Sequence, residues 1–242
     1  MASTTVETFI WKDSESLSLA AAHFFVKACA EAVAARGRFV VGLSGGSTPR
    51  RLYQLLATPE FSRNIPWKKV FLCWSDERFV PHTDADSNFR MTREALLDHV
   101  PIPKGNIFAI PTKGKPEACA AKYEERLRKL LGTSSPAFDW MLLGMGADGH
   151  TASLFPHTSI LHEKKKWVSA VWVEEKQTHR ISFTYPLINR SREAIFLVAG
   201  KEKQPVIATI RGRAKHTSYP VEGVVPTKGK ITWMLDEAAA GN

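Results

Sequence analysis

With 242 residues, 44% of them hydrophobic and 24% charged, the chain can bury a sizeable apolar core without disulfide support, and its balance excludes long disordered segments. A formal net charge of +9 favours anionic partners, whether nucleic acid, a membrane surface or a phosphorylated metabolite. The basic runs Lys164-Lys165-Lys166 and Arg211, Arg213 and Lys215 lack the interleaved aromatics of a stacking platform, so both read as solvated surface and no nucleic-acid partner is expected.

From Ser14 to Arg36, apolar residues recur at Leu17, Ala21, Phe24, Ala28 and Ala32, the spacing of one helical face, with Asp13 or Ser14 to cap the start and Gly37 to close it. Phe39 to Leu43 is a short apolar run rich in β-branched residues and reads as a buried strand. The polar stretch Ser44-Gly45-Gly46-Ser47-Thr48 breaks it, and Pro49 opens a second helix through Leu52, Leu55 and Leu56. Val70 to Trp74 predicts another buried strand, then Ser75 to Arg78 in a loop, then a helix from about Ser87 to His99. A helix from Pro116 to Leu131 has proline at its start and Gly132 just past its end. Phe138 to Leu143, Val168 to Val173, Ile181 to Thr184, Ile195 to Val198 and Ile231 to Leu235 read as strands, with a helix after Gly200.

Alternation of strand and helix over residues 1–242 predicts one domain with a single continuous α/β sheet, open, doubly wound, mostly parallel, Rossmann-like, with helices on both faces; a small subdomain around Val171 to Asn189 would read the same. In such sheets ligands bind beyond the carboxyl ends of the strands, which directs attention to the loops after Leu43, Trp74 and Leu143.

The three cysteines, Cys29, Cys73 and Cys119, are widely separated and odd in number, so buried thiols in a reducing compartment are expected. The first residues lack the basic start and apolar middle of a secretory signal, no stretch approaches membrane-spanning length, and the Ala-Gly-Asn ending matches no familiar address. The expectation is a cytoplasmic monomer with no membrane partner.

Ser44 to Thr48, between a strand and a helix, offers backbone N–H groups and hydroxyls at the positive end of that helix: a phosphate cradle, or else a tight turn needing glycine. No lysine precedes Ser47 or Thr48, so this is not a nucleoside-triphosphate loop. Gly144 to Gly149 has the glycine spacing of a dinucleotide site. Pro156 leaves no room for the long helix such a site needs, and Asp148 would place a carboxylate where pyrophosphate belongs. The same loop sets Asp148 two residues before His150, a carboxylate able to position an imidazole general base. Arg78, after Asp76 and Glu77, presents a fork of donors suited to an anion, or an ion pair with either acid. Arg180 and Lys203 are placed to close around a phosphate. His150, His157 and His162 match no metal-ligand spacing, and Ser44 lacks a nucleophile elbow, so neither a metal nor a serine nucleophile is expected.

Taken together, the segments Gly42 to Pro49, Trp74 to Pro81 with Ser87-Asn88, Leu143 to Pro156, His179 to Ser182, Pro186 to Asn189 and Gly200 to Lys203 resemble those of 6-phosphogluconolactonases, in order and nearly end to end. The resemblance implies a cofactor-free, metal-independent hydrolase of the oxidative pentose phosphate pathway acting on a small sugar phosphate. It implies His150 as the base activating water, Asp148 beside it, and Arg78 near the lactone carbonyl. The phosphate and sugar would be held by Ser44, Gly45, Gly46, Ser47, Thr48, Asp76, Arg180 and Lys203. Glucosamine-6-phosphate deaminases share the Asp-Gly-His block but continue to Asn-Glu-Pro, with a glutamate that assists ring opening. Here Leu154-Phe155-Pro156 puts Phe155 in that place, which favours the lactonase. A sugar-phosphate sensor would need a DNA-binding helical module, for which the N-terminal helix leaves no room.

Overall fold

The computed structural model describes residues 4–132, 137–212 and 219–242, so Arg213 and Lys215 of the second basic run lie outside the described residues. In chain order the elements are β1 (Thr5–Trp11), α1 (Ser14–Arg36), β2 (Phe39–Leu43), α2 (Ser47–Ala57), α3 (Pro59–Ser62), β3 (Val70–Trp74), β4 (Asp76–Arg78), α4 (Asn88–Ala95), β5 (Ile107–Phe108) and α5 (Pro116–Leu131). They continue with β6 (Trp140–Leu143), β7 (Val168–Val173), β8 (Thr178–Phe183), α6 (Tyr185–Ile188), β9 (Glu193–Val198), α7 (Gln204–Arg211), β10 (Lys230–Asp236) and α8 (Glu237–Ala240).

Seven strands form one sheet in the order β1-β10-β9-β6-β2-β3-β5, and every pairing in it is parallel. β2 and β6 are buried along their whole length, because helices above and below leave no face for polar side chains. From β2 the chain runs outward through β3 and β5, then returns to lay β6 on the other side of β2. The β2/β6 seam is thus the topological switch point, where a crevice opens beyond the carboxyl ends of the strands.

The expectation of one continuous sheet is corrected. β4, β8 and β7 form a separate three-stranded antiparallel sheet. Val168 to Val173 and the strand after it are the arms of a hairpin, and the step from the large sheet is made at Ser75. Its N–H donates to Leu43 O at 2.8 Å while its own carbonyl accepts from Phe183 N at 2.7 Å. The residues expected to form a loop at Asp76 to Arg78 are therefore a strand that fixes side-chain direction by strict alternation.

Asp13 caps α1, accepting from Ser16 N at 2.8 Å, and Gly37 closes it at φ 71°. The buried stripe runs through Leu17, Ala21, Phe25, Cys29 and Ala32; Leu17, Ala21 and Ala32 are as expected, while Phe25 and Cys29 take the places expected for Phe24 and Ala28. The reason is β1, an edge strand the periodicity did not reveal. Phe24 turns toward it and packs edge-on against Phe9 and Trp11, with centroids 5.6 and 6.4 Å apart, while Phe25 packs on Phe39 and Trp140 of the central strands. By length and a mean hydropathy of 1.4, α1 would pass as a bilayer span, contrary to the expectation that no stretch is long enough. Its buried stripe is instead spent on the sheet. The helix expected over Ser87 to His99 is α4 followed by a 3-10 turn at Leu97–His99. All three cysteines are buried thiols.

Candidate active site

The loop after β2 is locked from beneath. Tyr53 of α2 donates its hydroxyl to Ser44 O at 2.7 Å and accepts from Ser44 N at 3.2 Å; burial pushes the Tyr53 phenol well above its ordinary value, so it stays neutral. Gly46 is the residue preceding α2 and sits at φ 109°, a conformation closed to side-chain-bearing residues. No side chain caps α2 and no acid occupies its first turn, so its free N–H groups and positive end are left for an anion. Ser47 and Thr48 lie in that first turn.

Across the seam, the loop after β6 is wired into a compact turn. Thr151 Oγ1 donates to Gly144 O at 2.8 Å, Gly146 N to His150 O at 2.8 Å, and Leu154 N to Thr151 O at 2.9 Å. No helix follows this loop as far as the single 3-10 turn at Ser159–His162, so the dinucleotide arrangement is not built. His150 Nδ1 lies 2.5 Å from Asp148 Oδ1. The carboxylate accepts from Nδ1–H, and in the neutral imidazole this arrangement leaves the Nε2 lone pair free. Burial pushes the Asp148 carboxyl up, but the His150 hydrogen bonds and charge outweigh it and hold the acid below its ordinary range. Gly146 makes this pair possible, because a Cβ there would overlap both His150 Nδ1 and Asp148 Oδ1.

The small sheet supplies the cations. Arg78 and Arg180 are register partners on β4 and β8, an arrangement of like charges that costs stability. Arg78 makes no ion pair with Asp76 or Glu77; one of its terminal nitrogens donates to Asp86 O. Both Nε atoms are buried and without a partner among the described residues. Burial lowers the Arg180 pKa, Asp76 opposes this and Arg78 adds to it. Glu77, on the opposite face of β4, accepts from Arg78 N, Ser87 Oγ, Asn88 N and Phe89 N at 2.7–3.0 Å, tying the start of α4 to the strand. Burial raises its pKa despite these four donors.

These loops and strands enclose one open cavity of about 250 Å³. Its lining contains Ser44, Gly45, Gly46, Ser47, Thr48, Asp76, Arg78, His150, Arg180 and Lys203, so the structure brings together every residue singled out from sequence except Asp148, which stands behind His150 as its hydrogen-bond partner. Sequence reasoning gave no role to four others. Asn88, buried at the start of α4, lines the cavity, donates to Asp76 O at 3.1 Å and packs so tightly on Gly45 that a Cβ there would overlap it. Ser153 donates to Asp76 Oδ2 at 2.6 Å. Glu202 lines the cavity beside Lys203, 3.6 Å away. Asp236, at the end of β10, accepts from Gly200 N at 3.1 Å and from Ala239 N at 2.8 Å, anchoring the turn that carries Lys203. Asn88 had a local signal, an N-terminal helix position after the capping serine, and Glu202 stands next to Lys203 in the sequence; Ser153 and Asp236 depend on contacts remote in sequence.

The family model described as glucosamine-6-phosphate isomerases/6-phosphogluconolactonase matches residues 12–233. The chain belongs to this family. A curated relative from Nostoc sp., named 6-phosphogluconolactonase, is 43% identical over 214 residues, covering 86% of each chain. Among solved structures, 6-phosphogluconolactonase from Trypanosoma cruzi is 28% identical with a TM-score of 0.88 and coverage of 100% of this chain and 98% of that one. A monomeric glucosamine-6-phosphate deaminase superposes with a TM-score of 0.83 at 20% identity, a likeness of fold alone. The family description thus names two chemistries for one scaffold.

Proposed function

We propose that the chain hydrolyses 6-phospho-D-glucono-1,5-lactone to 6-phosphogluconate by general-base catalysis. The observation that carries this reading is the His150–Asp148 pair at 2.5 Å, in the same cavity as an uncapped helix N-terminus and two arginines with unpartnered Nε atoms. The α2 cradle, Arg180 and Lys203 hold the phosphate, which fixes the ring against His150. Neutral Nε2 takes a proton from water as its oxygen adds to the lactone carbonyl carbon. Arg78 stabilises the oxyanion of the tetrahedral intermediate. When that intermediate collapses, the bond from the carbonyl carbon to the ring oxygen breaks and the imidazolium returns its proton to that oxygen. His150 is again neutral, and the product acid ionises in solvent. Asp148 holds the productive tautomer throughout.

A lactone carbonyl is already electrophilic, so no second acid is needed. Phe155 beside the base suits this better than ring opening of an amino sugar, which requires a proton relay. The three buried thiols suit a reducing compartment such as the cytosol. The test is hydrolysis of freshly generated 6-phosphogluconolactone by the purified protein with chelator present, with ammonia release from glucosamine 6-phosphate followed in parallel. Chelator-resistant lactone hydrolysis without ammonia is expected; ammonia release, or silence in both assays, contradicts the reading.

A further inference from the structure

Among the described residues the His150 ring is held by one hydrogen bond, at Nδ1, and a single anchor leaves an imidazole free to swing about it. The second restraint is Phe155. Its ring stacks on the imidazole with centroids 4.0 Å apart and 24° between the planes. Phe155 is itself fixed: it is 4% exposed, it precedes Pro156, which narrows its backbone freedom, and its carbonyl accepts from Thr158 Oγ1 at 2.6 Å and Thr158 N at 3.3 Å. The Arg180 guanidinium carbon lies 5.6 Å from the centroid of the same ring. Phe155 therefore touches the base on the loop of the large sheet and an anion-binding arginine on the small one, while forming no part of the cavity wall.

We propose that Phe155 is a positioning residue, a rigid aromatic plate that sets the plane of the His150 ring so that Nε2 is aimed into the cavity. It acts through His150 and touches no substrate. The proposal rests on His150 being the base. A flat, buried face restricts swinging of the stacked ring, and misplacement of a catalytic group by about 1 Å can cost about 10²-fold in rate. A flexible aliphatic chain of similar volume fills the space without offering a plane.

The test is a double-mutant cycle on lactone hydrolysis, with melting temperatures recorded for each protein. Phe155→Leu is expected to lower kcat by about 10- to 100-fold with KM changed less than about twofold. Phe155→Tyr, which keeps the ring face, restores most of the loss. In the His150→Ala protein, adding Phe155→Leu changes the residual rate by less than about twofold, because the plate has nothing left to aim. Full kcat in a folded Phe155→Leu protein that still requires His150 overturns the proposal and leaves the base assignment standing. An equal loss with and without His150 also overturns it, since Phe155 would then act by general loosening. Wild-type activity in His150→Ala overturns the base assignment and the proposal with it. Should Phe155→Leu melt early, Phe155→Met carries the same comparison at a temperature below its transition.

Discussion

The two sheets treat their charges in opposite ways. At the carboxyl edge of the large sheet, His150 and Asp148 are bonded to each other within a turn held by its own backbone. On the small sheet, Arg78 and Arg180 face each other across two strands with both Nε atoms unpartnered. A group that must hold one tautomer and one position gains from being satisfied in the free protein. A group that must receive an anion gains from being left unsatisfied until the anion arrives. Two like charges at paired strand positions, with Arg180 desolvated, are an unfavourable arrangement that a bound phosphate or oxyanion relieves. The fold supports this division by joining the sheets at Ser75, so that satisfied and unsatisfied groups meet across one cavity.

This division makes distinct predictions for the two regions. On the satisfied side, Asp148→Asn removes the acceptor that holds the His150 tautomer and should lower kcat by about 10²-fold, with little change in KM. Its pH dependence follows from the lowered Asp148 pKa. Because the folded value lies below the ordinary 3.8, the carboxylate's contribution is present above the ordinary carboxylate range and is lost only as pH falls through the folded value. Protonation of Asp148 therefore plays no part near neutral pH, and the loss in Asp148→Asn should be at its full size of about 10²-fold there, measured by initial rates after correction for spontaneous hydrolysis. A ratio near one at neutral pH removes Asp148 from the mechanism.

On the unsatisfied side, Arg180→Met should raise KM for the phosphorylated lactone by about 10- to 100-fold, the worth of a charge-assisted hydrogen bond, with a much smaller effect on unphosphorylated gluconolactone. Equal effects on both substrates would move Arg180 away from the phosphate. The same variant removes a buried charge and its repulsion from Arg78 but also the attraction of Asp76, so its melting temperature should stay within about 3 °C of the wild type. A large loss of stability would show that Arg180 is part of the scaffold rather than a group held in waiting.

The two regions also differed in how far the sequence revealed them. The large sheet's central strands are short apolar runs ended by glycine-rich loops, and those local signals placed the cradle and Asp148 with His150 at adjoining strand ends. Of the small sheet, the β7–β8 hairpin was open to being read as a subdomain, but β4 was concealed because Asp76 to Arg78 is too short and polar to show alternation. Its pairing partner lies about a hundred residues later, so the Arg78–Arg180 register could not be read from spacing. β1 escaped for a related reason: with Val6 and Phe9 exposed, an edge strand shows no clean two-residue period, and its absence from the reading put Phe24 and Ala28 where Phe25 and Cys29 are buried. Asp236 and Ser153 are functional neighbours only through long-range contacts, which no local pattern encodes.

The most direct test of the account is the rate of 6-phosphogluconolactone opening by His150→Ala, measured against spontaneous hydrolysis alongside the wild type, with the melting temperature of both proteins recorded. Loss of the general base predicts a fall of about 10²- to 10⁴-fold in kcat, with the fold intact and KM little changed. A folded His150→Ala protein that exceeds the spontaneous rate by the wild-type margin would contradict the central claim and place the base elsewhere in the cavity.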